Sequence, residues 1–460
     1  MRIIRLALAV AVSLFGLAAV SNGQDSHYWT NQYGSRATLL GGAVIGSVLD
    51  LSGTYYNPGG MALVEKPHTF LAANVFQYPR VTLAGAPPGS VPLNWYNPGP
   101  APVLLAGTIR LRGLPDHWFG YSYVARQSVK LGLTSSAAGR SDVLPGPPGP
   151  EDTVTQFRLD ERLSESWLGL TWSYKASKHI GVGVTQYIAY RSHRTIVQEQ
   201  AEALSQGASL GAAWGERQYA YYHFRALWKI GLALDFQALT IGLTLTSPSL
   251  AIGGSGSTGV DSSLSGLDKN GDGVPDDYLA ANFQDRLRVT YATPFSLAAG
   301  LTFKIEKVRI YGSAEWFARV RPYTVVDSRP FAAQSSGETV LTDVTQELRA
   351  VLNWGVGVEW FYSPRFKGYA SFTTDRSAKK PVTTTNISLT DWNIVHLVTG
   401  GEFFIKKTSL TVGGGVSFGG REVDGQPDIL ARSGLAGIWD PFAGLKFRYI
   451  CYKLILGFAI

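Results

Sequence analysis

The stretch Asp268-Lys269-Asn270-Gly271-Asp272-Gly273-Val274-Pro275-Asp276-Asp277 carries the residue types most suited to chemistry. Carboxylate and amide oxygens at alternating positions, followed by glycine, resemble the opening of a calcium loop, with Asp268, Asn270, Asp272 and Asp276 as ligands. Leu279 stands where such a loop carries its bidentate glutamate, so the calcium expected here is structural. The competing reading is a solvated turn, because Asn-Gly and Asp-Gly are turn signals in their own right. Gly254-Ser255-Gly256-Ser257-Thr258-Gly259 matches G-x-G-x-x-G, but no helix pattern follows it, as phosphate binding at a helix N-terminus requires. The seven histidines are scattered, without metal-ligand spacing or a Ser/Asp partner pattern. Nothing here builds a catalytic constellation, so the chain is expected not to be an enzyme and to require no cofactor.

Charged residues recur in a second way. Glu315, Glu359 and Glu402 each follow a glycine closely and precede an aromatic, at strand positions that alternate away from the apolar face. Arg36, the single cation of a glycine-rich stretch near the N-terminus, is one partner for them; Arg309 and Lys175 are others.

The elements that must position these residues are strands. Leu168, Leu170, Trp172 and Tyr174 alternate with Gly169, Thr171, Ser173 and Lys175. Leu239, Ile241, Leu243 and Leu245 alternate with Thr240, Gly242, Thr244 and Thr246, and Trp354, Val356, Val358 and Trp360 behave likewise. One face is bulky and apolar and the other small or polar, as a wall between lipid and a wet lumen requires. Short connections (113–117, 176–179, 235–238, 305–308, 362–366, 405–408) alternate with long ones (85–101, 134–152, 197–215, 251–285, 321–342, 376–391, 420–439). That asymmetry, with 445–460 read as one final strand, predicts an all-β, 14-stranded antiparallel transmembrane β-barrel. Both barrel ends then lie on the short-turn side, and the N-terminal segment is expected to begin beneath the pore.

Composition agrees. Charged residues make up 16% of the chain against about 25% in soluble proteins. Aromatics reach 12%, and there are 52 glycines. The single cysteine, Cys451, rules out an intramolecular disulfide. Residues 1–23 have the charged, apolar and small-residue regions of a signal peptide, with Arg2 and Arg5 leading. Cleavage there leaves 39 basic and 34 acidic side chains, a net +5 that is too mild to argue for nucleic acid. After the leader, no run of 18 or more apolar residues offers a transmembrane helix. Residues 24–66 form a small, glycine-rich, polar-ended segment suited to a hatch, and 67–460 the barrel around it.

Gly34-Ser35-Arg36-Ala37, Gly41-Gly42-Ala43, Asp50 and Tyr55-Tyr56-Asn57-Pro58-Gly59-Gly60 carry a resemblance, joined later by Thr246-Ser247-Pro248-Ser249 and Thr293-Pro294-Phe295-Ser296-Leu297-Ala298-Ala299-Gly300. The chain resembles the outer-membrane long-chain fatty acid and aromatic hydrocarbon transport proteins, the FadL/TodX-like family, over essentially its whole length. The resemblance implies a lumenal N-terminal hatch gated around Asn57, Pro58, Gly59, Arg36 and Asp50. It implies a hydrophobic substrate site near the outer loops, where Arg191 and Arg194, at the upper end of the fifth strand, are candidates for a fatty acid's carboxylate, and lateral exit into the bilayer at a kinked third strand, with Gly120 as the candidate kink. Two departures stand out. Asn57-Pro58-Gly59 replaces the usual Asn-Pro-Ala, and the chain ends in Ile460 rather than an aromatic. The expected partners are outer-membrane lipid and a hydrophobic small molecule, and the expected state is a monomer. The alternative is a surface barrel that serves as an interaction or adhesion protein through its long loops.

Overall fold

The computed structural model describes residues 26–47, 50–64, 70–84, 94–96, 99–101, 104–109, 111, 113–141, 144, 150–204, 210–267, 274–379, 392–405, 408–422 and 446–459. The expected signal peptide, and Asp268, Asn270 and Asp272 of the expected calcium loop, lie outside them. Asp276 opens a strand, Asp276–Val289.

The protein is all-β, built on one large antiparallel sheet with short helical turns at the N-terminal end. The wall strands are β1 (Phe70–Ala84), β2 (Leu104–Ile109), β3 (His117–Ser141), β4 (Glu151–Lys175), β5 (Ile180–Leu204), β6 (Leu210–Asp235) and β7 (Leu239–Thr246). They continue as β8 (Ser296–Ile305), β9 (Val308–Phe317), β10 (Val351–Ser363), β11 (Phe366–Asp375), β12 (Ile394–Ile405), β13 (Thr408–Glu422) and β14 (Lys446–Ala459). Each pairs with the next. β14 in turn pairs with β1, from Leu71↔Ala459 to Ala84↔Lys446.

Alternation decides which way each side chain points. On β4, Leu168 and Leu170 are 60% and 66% exposed, while Gly169, Thr171 and Ser173 between them are buried. The same inversion of a soluble protein holds on β7, β8, β10 and β14, where Leu243, Leu297, Val356 and Leu454 are exposed and Thr244, Ala298, Glu359 and Lys453 are buried. An exposed apolar surface of this extent is costly in water, whereas hydrocarbon accommodates it. Among the described residues no helix is long and apolar enough to cross a membrane.

Several expected long loops are strand instead. β3 to β6 run for up to about 80 Å, far beyond the 9–11 residues that cross a bilayer. The region expected as a loop at 251–285 forms strands Leu250–Leu267 and Asp276–Val289, which pair with each other and extend the free upper edge of β6. Val320–Asp327 and Val344–Leu348 pair similarly, across the region expected as a loop at 321–342. These stretches carry no one-sided apolar pattern, because above the apolar band the outward face is polar. Backbone pairing specifies them together with buried side chains such as Leu264, Leu267, Val325, Val326 and Val344.

The described residues of the N-terminal segment, 26–47 and 50–64, are buried almost throughout and supply Tyr33, Ala37, Leu39, Leu40, Val44, Leu51 and Met61 to the main core. It contains α1 (Ser35–Leu39), α2 (Gly53–Tyr56) and α3 (Pro58–Met61). Gly41 and Gly42 have φ of 61° and 79°, so the chain reverses there in the left-handed region that glycine alone adopts freely. Residues 26–30 sit beside Asp375 and Ser377, at the end of the wall reached by the long connections, rather than on the short-turn side where the sequence pattern puts the segment's start. Long-range capture by Asp375 fixes that placement, and local alternation carries no trace of it.

Candidate functional site

The site forms where the N-terminal segment meets the wall. Asn57 accepts a hydrogen bond from the Gly59 amide at 3.1 Å, capping α3, while its own amide donates to the carbonyls of Ile45 and Leu232. Pro58 starts α3, where its missing N–H costs nothing, and its carbonyl accepts from the Ser173 hydroxyl at 2.6 Å. Gly59 approaches the wall so closely that a Cβ would lie 2.6 Å from the Gly231 oxygen and 2.7 Å from that of Gly181. Asp50 closes a local turn by accepting from the Ser52 amide at 2.8 Å. The family-type motif residues are therefore seating residues, held against small wall positions.

Arg36 reaches Glu359 at 3.3 Å and also donates to the Tyr311 hydroxyl. Glu359, fully buried, further receives Tyr311 and Tyr369 hydroxyls, with Lys367 at 3.4 Å and Arg309 at 3.7 Å. Glu315 accepts from Trp29 Nε1 at 2.8 Å and from Ser296. Asp375 receives the amides of Tyr28 and Trp29 and the Thr30 hydroxyl. Three carboxylates on the inner face thus hold the N-terminal segment in place. Burial pushes the phenols of Tyr33 and Tyr55 up, so both stay neutral.

Above this seat lies a pocket of about 40 Å³. Tyr28 and Tyr55 of the N-terminal segment floor it, Trp167, Phe317 and Tyr291 wall it, and Arg126, Arg225, Lys229, Glu165 and Glu315 supply its charge. A second space of about 20 Å³ lies against Gln32, Gly41, Gly42, Ile45 and Tyr56, and it shares Tyr28, Tyr55, Lys229 and Glu315 with the first. Lys229 Nζ sits 4.2 Å from the Tyr55 ring at the boundary. Both spaces are far below the ~300–1,000 Å³ of small-molecule sites, so a ligand must displace side chains to enter.

Arg191 is wholly buried and binds Glu165 at 2.9 Å, the Gln127 amide oxygen at 2.9 Å and the Tyr221 hydroxyl at 3.0 Å. Arg225 takes the other oxygen of Glu165, and both guanidiniums lie against Tyr291, at 4.1 and 4.9 Å. Arg191 Nη2 and Arg225 Nη1 are buried without a hydrogen-bond partner among the described residues. Arg194 points the other way and is exposed on the outer face, because three positions along a strand reverse the direction of the side chain. The two arginines do not act on one site.

Gly120 sits in unbroken register between Thr108 and Thr171, so the third strand does not kink there. The irregularity lies at Arg126: Ala125 faces Ser166, Gln127 faces Glu165, and Arg126 is the extra residue. Both Arg126 and Gln127 consequently turn inward. The freed Arg126 carbonyl accepts from the Tyr33 hydroxyl at 3.0 Å, and its guanidinium lies 5.7 Å from the Trp167 ring. β2 pairs with β3 only up to Leu104↔Val124, and among the described residues β3 beyond the bulge makes no pairing with β2. Sequence reasoning missed this bulge, although its signal is present: buried Gly120, Ser122 and Val124 give way to buried Val129, Leu131 and Leu133, a change of phase.

No family model matches the sequence, and no curated protein matches it. Solved structures do. The toluene transporter TodX of Pseudomonas putida aligns over 94% of this chain and 98% of its own, at 14% identity and a TM-score of 0.53. A FadL homologue of Pseudomonas aeruginosa aligns over 94% and 98%, at 14% identity and 0.54. The toluene transporter TbuX of Ralstonia pickettii aligns over 93% and 98%, at 12% identity and 0.52. At these identities the likeness is one of fold, and it extends over nearly the whole of each chain: this protein has the FadL/TodX-like fold.

Proposed function

We propose that the protein is an outer-membrane channel for passive uptake of hydrophobic compounds, long-chain fatty acids or aromatic hydrocarbons. In this reading β1 to β14 form a closed fourteen-stranded barrel, with residues 24–66 as its hatch and the monomer as the working unit. The pairing of β14 with β1 and the exposed apolar band support the barrel. The observation that carries the function is the aromatic pocket lying on the N-terminal segment and bordered by the Arg126 bulge. A ligand entering among Tyr28, Tyr55, Trp167 and Phe317 meets the segment's seat and the irregular part of the third strand together. Exit is lateral, past β3 above Val124, where the wall lacks the pairing that seals it elsewhere. The ligand exchanges water for apolar surroundings at each step, which supplies the driving force without a cofactor. The buried arginines Arg225 and Arg126 favour ligands that bear a carboxylate at one end.

The test is uptake of labelled oleate and toluene by a strain lacking its own fatty-acid transporter. Supplying this gene should raise uptake of at least one of them, and the Asn57→Ala, Pro58→Ala double variant should change that rate. No gain from the wild-type gene, with the protein folded in the outer membrane, overturns the proposal.

A further inference from the structure

The outer face of β3, β4 and β5 carries a feature that uptake does not use. Lys130, Arg162 and Arg194 are direct cross-strand partners, Lys130↔Arg162 and Arg162↔Arg194, and all three are exposed on the outward side. Directly opposed residues in a sheet hold their Cβ atoms about 4.5–5.5 Å apart, and like charges so placed repel. Arg158, exposed on the same face of β4, adds a fourth cation. Among the described residues the one carboxylate beside them is Asp160, 3.2 Å from Arg162, in a pair whose arginine side chain is still 60% exposed. Such a pair contributes little. Lys130, Arg158 and Arg194 have no ion pair among the described residues. The row continues on β6 with Ala220, which brings no acid.

The height of the row identifies what would neutralise it. Below it on the same face lie Leu168, Leu170 and Trp172 of β4, Ile188 and Tyr190 of β5, and Tyr222 and Phe224 of β6, all exposed. Tyr190 and Phe224 pack at 4.9 Å, as aromatics at a membrane boundary do. The cations stand four residues above the Tyr190–Phe224 row, roughly 13 Å along the strand and less along the membrane normal once strand tilt is included. That is the depth of lipid headgroups.

We propose that Lys130, Arg162 and Arg194, with Arg158, bind the phosphate groups of a phosphorylated glycolipid of the outer leaflet. This rests on the membrane-spanning reading above and is independent of what the channel carries. Each cation donates to phosphate oxygens through charge-assisted hydrogen bonds, and the headgroup screens the repulsion within the row. The site also anchors the long upper part of β3 to β5 at a fixed height, immediately beyond the Arg126 bulge.

The full chain, purified in neutral detergent, is mixed with diphosphoryl lipid A or with phosphatidylcholine, and retained lipid is counted by native mass spectrometry. Wild type should retain lipid A in preference to phosphatidylcholine. The Lys130→Gln, Arg162→Gln, Arg194→Gln variant should retain at least about tenfold less lipid A. Arg194→Gln alone, which removes one of these charges, should show a smaller loss. A control with Arg286, Arg321 and Arg329 each replaced by Gln removes the same charge elsewhere and should behave as wild type. Equal retention by the triple variant, equal loss in the control, or displacement of lipid A by inorganic phosphate at matched ionic strength each overturns the inference. Failure of the wild-type chain to insert into phosphatidylcholine vesicles instead overturns the membrane-spanning reading, which the lipid count leaves separate.

Discussion

Glu359 is fully buried with Arg36, Lys367 and Arg309 around it and two tyrosine hydroxyls donating to it. Removing one member of such a cluster leaves buried charge uncompensated, so Glu359→Gln should destabilise the protein by about 3–5 kcal/mol. Urea unfolding in detergent reads this directly; a loss below about 1 kcal/mol would show that water inside the wall already solvates the cations. A different single-residue test addresses close approach. A Cβ at Gly183 would lie 2.7 Å from the carbonyl carbon and oxygen of Pro58. Gly183→Val should therefore cost roughly 1–3 kcal/mol by overpacking and should also lift α3 from its seat. Planar-bilayer conductance should rise in that variant, and it should stay at the wild-type level if the seat is not what closes the lumen.

At the scale of elements, the Arg126 bulge joins the third strand to the N-terminal segment through the Tyr33 hydroxyl. Deleting Arg126 restores simple alternation through β3 and lets its upper half continue the regular ladder. The variant should fold and insert yet lose most uptake of the wild-type substrate, measured in the same transport assay; undiminished uptake would move the exit elsewhere. The strands of the apolar band were legible because an apolar outward face and small or polar groups inside impose a strict period of two, as at Leu168 to Tyr174. Above the band that contrast disappears. Gln198, Gln200 and Glu202 on the outward face of β5 read as loop although they are strand. The bulge left a change of phase between Val124 and Val129, but each half is too short to stand out. Arg36 against Glu359 was readable, as the single cation of the segment facing inward glutamates. The capture of Tyr28, Trp29 and Thr30 by Asp375 was not, because nothing local links residues nearly 350 positions apart. Arg191 and Arg194 were close in sequence but belong to opposite faces, as a spacing of three along a strand already implies.

For the whole molecule, the question is whether transport needs the N-terminal segment to move. Its first described residues are tied to the wall by hydrogen bonds that bend and re-form easily: Ser26 Oγ to Ser377 Oγ at 3.0 Å, the Ala378 amide to the Ser26 carbonyl at 2.9 Å, and the Asp375 contacts. Tyr28 and Trp29, which follow, line the two spaces that a ligand would have to join, because Tyr28 borders both. A passage this narrow opens only if those side chains leave together, and the shared backbone makes the segment the unit that moves. Ser26 and Ser377 are close enough for a disulfide to replace their hydrogen bond. In a Cys451→Ser background, which removes the one native thiol, Ser26→Cys with Ser377→Cys should transport normally when reduced and lose most uptake when oxidised. Reductant should restore it. A crosslinked protein that transports at the reduced rate would show that the path opens by side-chain rotation around a fixed segment.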